Sequence, residues 1–182
     1  RKRQHHASCA STDVFLSGAY AFVSDYGNGL QIIDVSNPSL PSRRGSFTDA
    51  YQVDCTVVSG NYAYVADYTE YCLMVFNVSD LATPSRVGTF ATAAGSEYLA
   101  VSGTYAFVAN TSLGLQIINV ANAAVPTRVG NFNTTGTAND VFLSGTYAYV
   151  ADGASGLQII SVSNLAVPTR VGTFDTTGTA QG

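Results

Sequence analysis

The sequence predicts an all-β protein made of four small antiparallel sheets packed face to face, and three observations predict it. The first is a repeat. Ser17-Gly18-Ala19-Tyr20-Ala21-Phe22-Val23 returns at Ser59 to Val65, Ser102 to Val108 and Ser144 to Val150, so that Gly18, Gly60, Gly103 and Gly145 are spaced by 42, 43 and 42 residues. A second marker, Gly45, Gly88, Gly130 and Gly172, steps by 43, 42 and 42; two markers holding one period identify a repeat architecture. The second observation is local. β-branched and aromatic runs lie between Gly, Asn and Pro clusters, and no segment keeps a 3.6-residue period. The third is that apolar residues fill both alternate positions of the inner strands, with Tyr147 and Tyr149 on one face and Ala148 and Val150 on the other. Both faces of such a strand must be covered.

The fourth repeat shows each element in order. Asp140 to Leu143 is a short apolar strand closed by the turn Ser144-Gly145. Tyr147 to Ala151 is the second strand, Asp152-Gly153-Ala154-Ser155-Gly156 turns the chain, and Leu157 to Ser163 is the third. Asn164 to Pro168 breaks it, Arg170 to Phe174 forms the fourth, and Gly178 turns toward whatever follows. Four short strands in about 42 residues make one twisted sheet, and face-to-face packing of such units is the blade arrangement of a β-propeller. The expected organisation is a tail over residues 1–12 and a propeller over 13–182, in repeats of about 13–54, 55–97, 98–139 and 140–182.

Leu30-Gln31-Ile32-Ile33-Asp34-Val35-Ser36-Asn37-Pro38-Ser39-Leu40-Pro41, preceded by Tyr20-Ala21-Phe22-Val23, resembles the LVIVD-repeat family of β-propellers. Leu115 to Val120 and Leu157 to Val162 repeat the signature, and Leu73 to Val78 departs from it. The resemblance implies bacterial or archaeal cell-surface and secreted proteins, and it brings no catalytic motif. The Gly-His and Trp-Asp marks of WD40 repeats and the Trp-containing aspartate boxes of sialidases are missing. Four blades leave three arrangements open: a closed four-bladed ring, half of an eight-bladed ring made by two chains, or an open array covered by neighbouring chains.

Composition narrows the function classes. The chain has 182 residues, 46% hydrophobic and only 11% charged, with 18 Ser, 19 Thr and one lysine, Lys2. The net charge of −4 hides a basic tail, Arg1-Lys2-Arg3, on a body carrying five basic and twelve acidic residues. Nucleic acid is not an expected partner of such a body, and no apolar run approaches the ~18 residues that span a bilayer. The chain has neither an initiating Met nor a signal-peptide core, which reads as a removed leader or a part of a longer chain.

Few residues suggest catalysis, and none is assigned to it. His5 and His6 lie in the tail beside Cys9, and Glu70 and Glu97, the only glutamates, are the one conceivable pair for glycoside hydrolysis. No cofactor is expected. Asp25, Asp67, Asn110 and Asp152 recur at the second-strand ends. They are weak candidates for a channel-facing ring of oxygens holding Ca²⁺, against the simpler reading that each caps the following turn. Tyr26, Tyr68 and Tyr71 beside them are candidates for stacking on a sugar. Cys55 and Cys72 replace other residues of the repeat at the same end of the second blade, which predicts a Cys55–Cys72 disulfide contributing about 3 kcal/mol. Cys9 is the alternative partner for Cys55, or pairs between chains. Asn77, Asn110 and Asn133 begin Asn-x-Ser/Thr sequons.

Charge placement suggests a role. Asp13, Asp54, Asp140, Asp25, Asp67 and Asp152 fall at one end of the blades, and Arg44, Arg86, Arg128 and Arg170 begin the outer strands near the other. This polarity suits head-to-tail association into a homo-oligomer or filament. The expectation is a non-enzymatic, extracellular or cell-surface structural protein that self-associates. The alternative is a recognition module that binds a glycan or protein through its acidic loop face.

Overall fold

In the computed structural model, which describes residues 11–48, 50 and 52–182, the repeats become four antiparallel sheets. The first blade holds β1 (Ser11–Ser17), β2 (Tyr20–Asp25), β3 (Gly29–Asp34) and β4 (Ser42–Phe47). The second holds β5 (Val53–Ser59), β6 (Tyr62–Asp67), β7 (Cys72–Asn77) and β8 (Ser85–Ala91). The third holds β9 (Tyr98–Ser102), β10 (Tyr105–Asn110), β11 (Gly114–Asn119) and β12 (Thr127–Phe132), and the fourth β13 (Asp140–Ser144), β14 (Tyr147–Ala151), β15 (Leu157–Ser161) and β16 (Thr169–Phe174). Strands pair in chain order within each sheet. Among the described residues there is no helix, and so none long and apolar enough to cross a membrane.

The first repeat marker is explained by its turn. Gly18, Gly60, Gly103 and Gly145 all have φ of 58–59°, the left-handed conformation that a two-residue hairpin of type II′ demands at its first loop position. The turn is then locked from the end of the third strand, where the amides of Val35, Val78, Val120 and Val162 donate to the carbonyls of Ala19, Asn61, Thr104 and Thr146 at 2.8 Å.

The core lies between blades rather than within them. Phe22, Leu30 and Ile32 of the first blade meet Ala63, Val65, Met74 and Phe76 of the second. On the other face of the second blade, Tyr64, Leu73 and Val75 meet Ala106, Val108 and Ile118 of the third. Phe107, Leu115 and Ile117 then meet Ala148, Val150 and Ile160 of the fourth. The first strands pack in sequence, β1 on β5, β5 on β9 and β9 on β13, and among the described residues β13 has no comparable packing on β1. The four blades form an arc.

Two sequence expectations are corrected here. Cys55 and Cys72 are free thiols, because they occupy opposite faces of one sheet. Cys55 pairs across the strands with Ala66, while Cys72 pairs with Asp67, and neighbouring positions on a pleated strand point to opposite sides. Cys55 accordingly sits in the core shared with the third blade and Cys72 in the core shared with the first. Burial pushes both thiols up, that of Cys72 to about 12. Cys9, His5 and His6 lie outside the described residues. The second correction concerns the arginine rim. A bulge in each outer strand sets Arg43, Arg86, Arg128 and Arg170 opposite Ile33, Phe76, Ile118 and Ile160. Arg44 instead takes the bulged place that Val87, Val129 and Val171 hold in the other blades.

Candidate functional site

The second-strand ends are occupied by turn chemistry. Asp67 Oδ1 accepts from the Thr69 amide and hydroxyl at 2.9 Å and from the Glu70 amide at 2.8 Å. Asp152 Oδ2 accepts from the Gly136 amide at 2.9 Å, tying the fourth blade to the linker that enters it. Asp25 meets the Asn28 side chain at 3.4 Å. These hydrogen bonds lock turns and linkers, in the manner of the capping reading. Among the described residues, no group of three or more His, Cys, Asp and Glu could hold a metal ion.

Asn110 is corrected as a glycan acceptor. It is fully buried, and its Nδ2, the atom a glycan would join, donates to Ala94 O at 2.7 Å, Ser96 Oγ at 3.2 Å and Gly95 O at 3.3 Å. Its Oδ1 accepts from Gln116 Nε2 at 3.2 Å. The sequon marks a staple between the third blade and its entry linker. Asn133 is exposed and Asn77 half-buried.

The same end holds an acidic knot that the repeat pattern does not reveal. Asp54, at the bulge that opens β5, accepts from the Tyr68 amide at 3.2 Å and from Gln52 Nε2 at 3.4 Å. Burial, with the Asp67 and Glu97 charges adding, pushes its carboxyl up to about 7. Glu97 precedes β9, and Glu70 lies in the β6–β7 turn, its amide spent on Asp67. A folded-state value above the ordinary 3.8 means that the folded protein holds this proton more tightly than the unfolded chain does. The resulting stability is full below about pH 4 and is lost as pH rises through 7. Between pH 8 and pH 5 the contribution is on the order of 1–2 kcal/mol, discounted for partial exposure. Asp54→Asn therefore flattens the pH dependence of the thermal midpoint over that window relative to wild type. Parallel midpoint curves for the two proteins would remove Asp54 as its source.

At the opposite end the rim is mixed in sign. The Ser36 hydrogen bonds, with the Arg44 charge adding, hold the Asp34 carboxyl below its ordinary range. Asp80 is lowered by hydrogen bonds from Thr83 and Ala82, again with Arg44 nearby. Arg86 Nη1 lies 3.8 Å from Met74 Sδ, and Arg170 Nη1 is 3.4 Å from Gln158 Oε1. Two of the in-register arginines thus reach back over their own blades.

The surfaces that stand out are apolar. Val14 and Leu16 on β1 are 55% and 66% exposed, and Phe142 and Phe174 of the fourth blade 70% and 67%. Along the first strands runs a cavity of about 460 Å³ lined by Phe15, Val57, Leu99, Val141, Phe142 and Leu143 among others. On the loop face, Tyr68 and Tyr71 are exposed, with ring centroids 6.5 Å apart, whereas Tyr26 is half-buried.

Comparison with known proteins bears on the fold. The chain is similar to the periplasmic gluconolactonase of Pseudomonas aeruginosa, with a TM-score of 0.80 and 16% identity over 94% of this chain and 56% of that one. It is similar to the computationally designed Ika8 protein, with a TM-score of 0.74 and 6% identity over 94% of this chain and 51% of that one. The designed Ika4 protein matches with a TM-score of 0.69 and 6% identity over 87% of this chain and 95% of that one. The chain thus spans little more than half the length of the first two. No curated protein matches it. The LVIVD repeat profile matches four times, at residues 10–49, 53–92, 95–134 and 135–176, one match for each sheet. By these four repeats and the four blades they form, the chain belongs to the LVIVD repeat family.

Proposed function

We propose that the protein is a non-catalytic structural component that associates with itself at an extracellular or cell-surface location. The observation that carries this reading is the pair of uncovered apolar faces at the two ends of the arc. Phe142 and Phe174 stand on one and Val14 and Leu16 on the other, each more than half exposed. Isolated apolar residues at a surface need no explanation, but opposed patches on repeating units call for a partner. Arg86 and Arg170, two of the rim arginines, reach back over their own blades, which favours the blade faces over the charged rims as the contact surface. The Ser- and Thr-rich, lysine-poor composition and the exposed Asn133 sequon support the extracellular setting; a disulfide no longer does. The likeness to a gluconolactonase at 16% identity is a likeness of fold and assigns no catalytic residue. A second reading, recognition of a glycan or protein at the loop face, is favoured by the exposed Tyr68 and Tyr71 pair, which offers apolar ring area with polar hydroxyl tips.

Sedimentation velocity over about 1–100 μM, a span covering ordinary weak to moderate self-association, tests the first reading. Dimers or longer species growing with concentration are expected. A monomer at every concentration overturns it, and a glycan-array signal from that monomer moves the assignment to recognition.

A further inference from the structure

The two uncovered faces are halves of a contact that the chain already makes three times. Each internal interface joins the back of one blade to the front of the next. Phe107, Leu115 and Ile117, at 4%, 0% and 0% exposure, form the back of the third blade, and Ala148, Val150 and Ile160 the front of the fourth. One repeat on, the back of the fourth blade presents Tyr149, Leu157 and Ile159, all only half-buried. The front of the first blade presents Val23 and Ile33, both half-buried, beside the buried Ala21; the three match Val150, Ile160 and Ala148 in cross-strand register. Among the described residues, nothing fills either face as a neighbouring blade would.

The glycines of the outer strands give an independent observation. A methyl group added at Gly45, Gly88 or Gly130 would strike the backbone carbonyl oxygen of Leu81, Ala123 or Leu165 in the following blade's loop. These glycines exist because the next blade's loop crosses directly over them. Gly172 holds the same register in the fourth blade, yet the nearest atom to its added methyl is Ile159 Cδ1 of its own blade, at 3.5 Å. At the other end, the Asx turn that places Leu81, Ala123 and Leu165 recurs at Asn37, which accepts from the Ser39 amide at 3.1 Å. That turn puts Pro38 in the corresponding place, exposed. One end of the arc has a glycine with no loop over it, and the other has a loop with no glycine beneath it.

We infer that a second copy of this chain seats the front of its first blade on the back of the fourth blade of the first copy, with the Pro38 loop over Gly172, repeating the internal blade-to-blade contact. This rests on the self-association reading and specifies its surface. The contact is heterologous, so copies that close on each other use it more than once, and copies that do not close extend as a filament.

The test uses one variant on each face. Gly172→Val obstructs the loop of the incoming copy in a place that is open within the chain, and Leu16→Asp puts a charge on the opposite face at a residue 66% exposed. Each is expected to keep the wild-type circular dichroism and to weaken association by at least about 10-fold, the equivalent of one or two lost contacts. Mixed together they should pair one-to-one, since each retains the face that the other lacks. Wild-type association in both variants, or no pairing in the mixture, overturns the inference while leaving self-association standing through another surface. A wild-type chain that stays monomeric removes both.

Discussion

Phe76→Ala lowers the stability of the chain by about 3–5 kcal/mol, the range for deleting a buried aromatic ring from a close-packed core. Phe76 is wholly buried in the cluster between the first and second blades, and its ring meets Phe47 edge-on at 4.1 Å. The blades share no backbone sheet, so side chains of this kind hold them together, and the cavity left by Phe76 would open at the middle of the joint. Phe174 supplies the internal control. It occupies in the fourth blade the cross-strand position that Phe47 holds in the first, opposite Leu157 as Phe47 is opposite Leu30, yet it is 67% exposed. Phe174→Ala should cost the monomer under about 0.5 kcal/mol, as changes at open surface do. Urea denaturation of both variants, below any concentration at which copies associate, separates the two values. A cost under about 1 kcal/mol for Phe76→Ala would mean that the first two blades are not joined as described.

The architecture was legible because its determinants are local and repeated. A left-handed turn glycine every 42 or 43 residues, with alternating apolar residues after it, fixes strand, turn and period together. What the period could not supply was the face on which a residue lies. Cys55 and Cys72 fall at the same end of one blade but are one cross-strand position out of step, which separates them by the thickness of the sheet. Arg43 and Arg44 are adjacent in sequence, and only the bulge between them and β3 decides which belongs to the rim. Asn110 reads as a surface sequon because its burial comes from Ala94, Gly95 and Ser96, residues of an irregular linker with no counterpart in the repeat signature. The raised Asp54 carboxyl was hidden for a similar reason, since it comes first from burial, which the repeat signature does not encode, with the Asp67 and Glu97 charges only adding. The complementary end faces could be suspected from the equally apolar terminal repeats, but Gly172 gained its meaning only once the other three glycines were seen beneath their loops.

Gly88→Val should destabilise the chain by about 3 kcal/mol or more, at or beyond the usual cost of overpacking, even though local propensity points the other way. Gly88 lies within β8, and its φ is not among the left-handed values, so valine meets no backbone penalty. Glycine in a strand is ordinarily a weakness that a β-branched residue relieves. The obstacle belongs to the next blade. The new Cβ would collide with the Ala123 carbonyl oxygen and come within 3.2 Å of Ala124 Cα, and backbone cannot rotate aside as a flexible side chain can. Relief would require the second and third blades to part, opening a cluster that contains Tyr64, Leu73, Val75 and Ile118. The same substitution at Gly172, where the space is open, should change monomer stability by less than about 0.5 kcal/mol and could raise it. The two variants share residue type, strand position and register, and differ only in whether another blade lies above. Equal unfolding midpoints for Gly88→Val and Gly172→Val would therefore show that contact between blades does not select these glycines; a wide gap would tie the second repeat marker to blade packing.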